Sequence, residues 1–286
     1  MKTLLLLILC IPSLLLQGQN SPTDKSITAS EITQAIIKKT GVTPFTTYTN
    51  DIFKAGDPDT PVTGVITCMF APMDVLQQAV DKNCNLIIVH EPIYFNGADE
   101  TTYLENDPVF LEKKKFIEDH NLIIWRFHDY IHTMKPDGIL TGMVRKLGWE
   151  NYQDKDTVNF FVVPEMTLKG LLKNMKKVFP ENAFYVMGNP KMKISKVWLS
   201  PGADNYMFHC KFVQVADVVI AGESPQWESY EYMRDALLQG RNKATIFLGH
   251  VPSEESGMEY CADWMKTFVK DMPIYYVKCG PAFWSY

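Results

Sequence analysis

Three apolar runs in this 286-residue chain end on histidine and a carboxylate, the side chains that bind metals or move protons. NLIIVHEP delivers His90 and Glu91. LIIWRFHDYIH delivers His128, Asp129 and, four residues on, His132. ATIFLGHVPSEESG delivers His250 and, four residues on, Glu254. A fourth run, ADVVIAGE, ends on Glu223. Four of the six histidines therefore lie at or just past the ends of predicted strands. Imidazole and carboxylate are the non-thiolate ligands that zinc, manganese and iron prefer. One such histidine would be a packing or surface group, but repeated arrivals at one edge argue for a divalent-metal site. The plainer alternative is that these side chains cap helices and tie down loops. No HExxH on a continuous helix narrows the choice. Because Pro252 follows His250, the helix bearing Glu254 is predicted to start after the histidine, which then belongs to the strand end. His120 reads as solvated in a polar turn, and His209 in MFHCKF as a packing residue.

The elements that must position these groups alternate between strand and helix. Helices are predicted over 27–40 (with Ser30 as N-cap), 72–82, 108–118, 138–147, 168–178, 229–239 and 254–270. Strands are predicted over 62–68, 85–89, 122–127, 159–163, 193–199, 215–221, 245–248 and 273–278. Ser200-Pro201-Gly202 reads as a turn whose amides could face an anion. This alternation predicts an α/β fold with parallel or mixed sheets, in which ligands gather at the carboxyl ends of the strands.

Composition excludes several classes. With 46% hydrophobic residues the chain can bury a sizeable core. A net charge of -5 argues against a nucleic-acid-binding surface. The sequence has no GxSxG elbow, no GxGxxG after a strand and no GxxxxGK[ST] loop. There is no repeat and no low-complexity segment.

Residues 1–19 read as a secretory signal: Met1-Lys2, then LLLLILCIPSLLL, with cleavage near 18–20. The stretch is short for a membrane span, which needs roughly 20 apolar residues, so no stable membrane insertion is expected after cleavage. The expected location is periplasmic or extracellular. Beyond Cys10, five cysteines remain, an odd number without a CxxC pair, and most lie among apolar residues.

Taken together, these motifs resemble the NIF-three-like (NGG-one-interacting-factor-three-like) family, whose members often carry the label GTP cyclohydrolase I type 2. NLIIVHEP resembles the family's "I-x-H-H-P", RFHDYIH its "H-T-N-L-D", KVWLSPGAD its "V-A-x-C-x-G-A-G", and ADVVIAGE its "A-D-x-x-x-T-G-E". LGHVPSEESG resembles "x-G-H-x-x-x-E-x-x-G", the most specific of the set. The resemblance spans nearly the whole chain after the signal. It implies two similar α/β halves, about 26–150 and 151–286 within a domain over 20–286, with mixed sheets packed around a shared metal site. It also implies a homo-oligomer, in many members a toroidal hexamer. Carried over residue by residue, the metal ligands would be His90, Glu91, His132, His250 and Glu254. His128 and Asp129 would orient a ligand or move a proton. Two of these ligand positions depart from the family: Glu91 replaces a histidine, and His132 replaces an aspartate; the family's histidines after "T-G-E" are also absent, with Gln226 and Trp227 in that stretch. The inventory of three imidazoles and two carboxylates is conserved in swapped places, which favours a retained but retuned site.

Two function classes follow. The first is an exported metal-dependent hydrolase with one or two zinc, manganese or iron ions per chain and an unknown small-molecule substrate. Ions there would lower the pKa of water and polarise an electrophile. The second is a non-catalytic metal-binding oligomeric scaffold or partner-binding module, for which Trp198, Trp227, Trp264, Trp284 and the closing CGPAFWSY could supply an interface. An α/β binding domain without metal is the remaining option.

Overall fold

The computed structural model describes residues 26–203, 206–280 and 282–283. The expected signal segment, Asp204 and Trp284 lie outside the described residues. The first part of the chain runs α1 (Ala29–Thr40), β1 (Phe53–Ala55), β2 (Val65–Cys68), α2 (Met73–Asp81), β3 (Leu86–Val89), α3 (Pro108–Asp119), β4 (Ile123–Arg126), α4 (Asp129–Thr133) and α5 (Gly138–Leu147). The second runs β5 (Phe160–Thr167), α6 (Leu168–Val178), β6 (Tyr185–Met187), β7 (Lys193–Ala203), α7 (Tyr206–Val215), β8 (Val218–Glu223) and α8 (Glu231–Leu238). It closes with β9 (Ala244–Phe247), α9 (His250–Met265) and β10 (Ile274–Tyr276).

These strands form two mixed five-stranded sheets, ordered β1-β4-β3-β2-β10 and β5-β7-β8-β9-β6. In the first, β10, β2, β3 and β4 are parallel and β1 is an antiparallel edge. In the second, β7, β8 and β9 are parallel between antiparallel β5 and β6. The central strands VITC, LIIV and ATIF are buried along their whole length. Strands covered by helices on both faces read as continuous apolar runs rather than alternating ones. That is why these stretches end so abruptly in charge: the run stops where the cover stops.

The two halves interlock. Helix α9 follows the second sheet in sequence, yet its Met258, Cys261, Ala262 and Met265 lie in the apolar core of the first. Strand β10 completes the first sheet. Conversely, Leu140, Met143 and Val144 of α5 lie in the core of the second sheet. The crossing of α5 and α9 is close enough that a Cβ on Gly142 would meet the Ser256 carbonyl oxygen at 2.2 Å. A side chain there would push the two helices apart, and with them the groups at their N-termini.

Several sequence expectations are corrected. Helix α1 is capped by Thr28, not Ser30: Thr28 and Glu31 form a reciprocal capping box, which Glu31 at the third helical position allows. Strand β7 does not turn at Ser200 but runs through Gly202 (φ +73°) to Ala203, with a register irregularity against β8. Helix α9 begins at His250, so this histidine is helical rather than part of a strand end. Pro252 is tolerated there because the first N–H groups of a helix have no partner within it. Short β1, β6 and α4 carry too few residues for a periodic signal, and the ten-residue α7 went unpredicted.

Cys68, Cys84 and Cys261 are buried among apolar side chains. Among the described residues, no helix is long and apolar enough to cross a membrane.

Candidate metal centre

The cluster sits where β3, β4, β8 and β9 reach their carboxyl ends, between the two sheets. His90 and Glu91 follow β3 directly. The His90 amide donates to the Cys68 carbonyl at 3.1 Å and the Glu91 amide to Met69 at 3.0 Å, extending the ladder just past the strand. His128 lies one residue beyond Phe127, and α4 carries Asp129 and His132. Helix α4 is only five residues long, and a buried carboxylate anchors it. Asp51 accepts the amides of His128 and Asp129 at 2.7 Å each and that of Tyr130 at 2.9 Å. It thereby takes up donors that a helix N-terminus leaves orphaned. Because His250 opens α9, Glu254 lies four residues on along the same helix face.

All four imidazoles are held in the same manner. Nδ1 of His90 lies 3.0 Å from the Phe127 carbonyl, and Nδ1 of His128 lies 2.8 Å from Asp129. Nδ1 of His132 lies 3.1 Å from Asp137, and Nδ1 of His250 lies 3.0 Å from Glu223. An oxygen acceptor at Nδ1 fixes the proton there and leaves Nε2 as the lone-pair donor. This is the arrangement found behind histidine ligands in metal sites. The four Nε2 atoms converge on Glu254 and Glu91. Glu254 Oε2 is 3.1 Å from His250 and 3.5 Å from His90, while its Oε1 is 3.8 Å from His132. Glu91 Oε1 is 3.2 Å from His250 and 3.9 Å from His128.

Two overlapping groups could hold a metal ion: His90, His128 and His132, and His90, Glu91 and Glu254, each with ligand atoms within 4.8 Å of one another. His90 belongs to both. It is fully buried, and its Nε2 makes no hydrogen bond among the described residues. A buried polar atom without a partner costs about 1–3 kcal/mol, which a cation at this point would recover. The donor chemistry, imidazole with carboxylate and no thiolate, fits zinc, manganese or iron.

In the metal-free state the rings differ electrostatically. Burial alone would lower the pKa of His250, but hydrogen bonds to Glu223, Glu254 and Glu91 push it up to about 12. His250 is then a cation standing among three carboxylates. Glu254 is held well below the usual carboxylate range: burial opposes this, but the facing His250 and His90 outweigh it. Burial, together with neighbouring His90, lowers the pKa of His128 and keeps that ring neutral, the form a metal requires.

A narrow backbone passage lies beneath Glu254. A Cβ on Gly202 would come 2.1 Å from Glu254 Oε1, so only glycine lets β7 pass this carboxylate. The Gly202 amide is used internally, donating to Ser253 Oγ at 2.9 Å, so it is not offered to an anion.

All seven residues singled out in the sequence meet here, with Asp129 behind His128 rather than facing the centre. Its oxygens take Thr49 Oγ1, the Asn50 amide and side chain, and His128 Nδ1. His128, expected to orient ligands or move protons, instead presents its ring to the same space as His90 and His132. Sequence reasoning missed Asp51, Arg126 and Asp137. Asp137 had a signal, since it precedes a predicted helix and is its N-cap, accepting from the Ile139 and Leu140 amides at 2.8 and 3.0 Å. Asp51 had none, because its partners are nearly eighty residues away. Of the other histidines, His209 is buried and bonded to Thr245, and His120 is exposed. Trp198 stacks on Phe212 at 4.2 Å, whereas Trp227 is 78% exposed.

The chain is 28% identical over 214 residues to a Clostridium acetobutylicum protein called GTP cyclohydrolase 1 type 2 homolog, covering 70% of this chain and 75% of that one. A Staphylococcus aureus protein of the same name matches at 31% over 99 residues, 34% of this chain and a quarter (25%) of its own length. In structure, a Staphylococcus aureus protein superposes with a TM-score of 0.72 at 18% identity, covering 91% of this chain and 99% of its own. A Bacillus cereus protein related to NIF3 gives 0.69 at 14%, covering 91% and 100%. The family model described as Duf34/NIF3 (NGG1p interacting factor 3) matches residues 27–279, and the chain belongs to that family.

Proposed function

We propose that this chain is an exported metal-dependent hydrolase whose centre is the His90–Glu91–His128–His132–His250–Glu254 cluster. One observation carries the reading: four imidazoles with Nδ1 occupied converge on two carboxylates around the unpartnered, fully buried Nε2 of His90. Bound divalent metal would supply Lewis acidity and an activated water at neutral pH. Within the protein, the Asp129, Asp137, Glu223 and Phe127 oxygens hold the rings in their ligating tautomer. Glu254 turns one oxygen to His132 and the other to His250 and His90, so it suits a ligand shared by two positions. His250 would ligate through Nε2, with Nδ1 held by Glu223 at 3.0 Å.

The relatives' name points to a nucleotide heterocycle. Export argues for other substrates, since nucleoside triphosphates are scarce outside the cytoplasm. Phosphoesters, amides and cyclic amidines form the class to test. The test has two steps. Protein purified without chelators should carry one or two divalent ions per chain, and His90→Ala should lose them. Turnover in a screen of those three classes should vanish in Glu254→Gln. Metal without turnover would favour the scaffold reading, which the exposed Trp227 and Tyr185 (78% and 71% exposed) at the same edge also support.

A further inference from the structure

Arg126 is a buried cation, 3% exposed, lying directly beneath the cluster. Its Nε donates to the His90 carbonyl at 3.1 Å, one terminal nitrogen to Glu91 Oε2 at 3.0 Å, and the other to the Gly97 carbonyl at 2.5 Å. That last nitrogen also lies 3.4 Å from Asn50 Oδ1, and Asn50 holds Asp129. The guanidinium thus fixes Glu91 from behind. One carboxylate oxygen is committed to Arg126, and only Oε1 faces His250 and His128.

The two candidate positions therefore differ in charge. Around His90, His128 and His132 the donors are imidazoles, with Glu254 Oε1 3.8 Å from His132 Nε2. In the other group, where Glu91 and Glu254 join His90, the charge of Glu91 is already balanced by Arg126. A second ion there must also displace His250 from its ion pairs with both carboxylates. A fixed positive charge a few ångströms from a dication opposes its binding strongly even at an effective dielectric near 20.

We propose that Arg126 makes the centre unequal: a resident ion binds tightly at His90–His128–His132, and a second binds, at the Glu91 and Glu254 carboxylates that His250 now faces, at least about tenfold more weakly. This rests on the metal reading above and adds a role for a residue that touches no metal itself. Arg126 is a positioning residue. The second position is then filled only when free metal is plentiful or a ligand brings negative charge to it.

Zinc titration of chelator-stripped full-length protein, followed by calorimetry and by cobalt absorption, tests this. Wild type should show two resolved steps. Arg126→Gln should tighten the second step by about tenfold or more without moving the first. Arg126→Lys keeps the buried charge and should keep the gap, which a purely structural role would not do. Should Arg126→Gln fail to fold, Glu91→Gln should abolish the second step and leave the first. Equal steps in wild type, an unchanged gap in Arg126→Gln, or loss of the first step in Glu91→Gln would overturn the proposal. No zinc or cobalt binding at all would instead remove the metal reading itself.

Discussion

Replacing Asp129 by asparagine separates ligand orientation from ligand identity. Oδ1 of Asp129 accepts from His128 Nδ1 at 2.8 Å and Asn50 Nδ2 at 3.1 Å; Oδ2 accepts from the Asn50 amide at 2.7 Å and Thr49 Oγ1 at 2.9 Å. Every partner is a donor, so an amide fits in neither orientation. With its NH2 toward Asn50, the Asn50 backbone N–H loses its acceptor. With its NH2 toward His128, the ring must move its proton to Nε2, and that atom ceases to be a ligand. Groups that orient a metal-binding histidine are worth about 10–100-fold in affinity, or about 1.4–2.7 kcal/mol. Asp129→Asn should therefore bind zinc about 10–100-fold more weakly in competition with a chromogenic chelator, while the chelator-treated variant still melts cooperatively. Affinity within about twofold of wild type in a folded variant would refute the reasoning, since it falls below the range such groups command.

Three further outcomes are expected. Gly202→Ala should cost about 1–3 kcal/mol by chemical denaturation, because φ is +73° and the new Cβ would displace the Glu254 carboxylate; metal binding should fall with it. In the metal-free protein the folded pKa of His250 is raised from 6.5 to about 12. Its stabilisation is thus full below the unfolded value and is lost as pH rises toward the folded one. Chelator-treated wild type should lose more melting temperature than His250→Gln between about pH 7 and pH 10; a parallel decline would contradict the ion-pair network. Finally, mass spectrometry of protein recovered from outside the cytoplasm should find an N-terminus near 18–20, and an intact Met1 would remove the export proposal.

The fold was legible wherever burial wrote itself into long apolar runs. LIIV and ATIF announce central strands because both faces are covered. The residues of the cluster were legible for the same reason, since ionisable residues stand out where such runs stop. What stayed hidden depends on contacts distant in sequence. The Asp51 anchor of α4 and the Arg126 grip on Glu91 join residues 35 to 79 positions apart. The placement of His250 inside a helix was misread because Pro252 looks like a barrier, although the first turn of a helix accepts proline. The interlocking of the halves was equally invisible, since α9 reads as an ordinary amphipathic helix whichever core it joins.

The most direct measurement is an anomalous diffraction map of crystals of the full chain grown with zinc and no chelator. A metal centre predicts a peak about 2.0–2.2 Å from His90 Nε2, shared with the His128 and His132 rings or with Glu254. A map with no peak at His90 Nε2, in crystals whose four rings keep their Nδ1 partners, would contradict it.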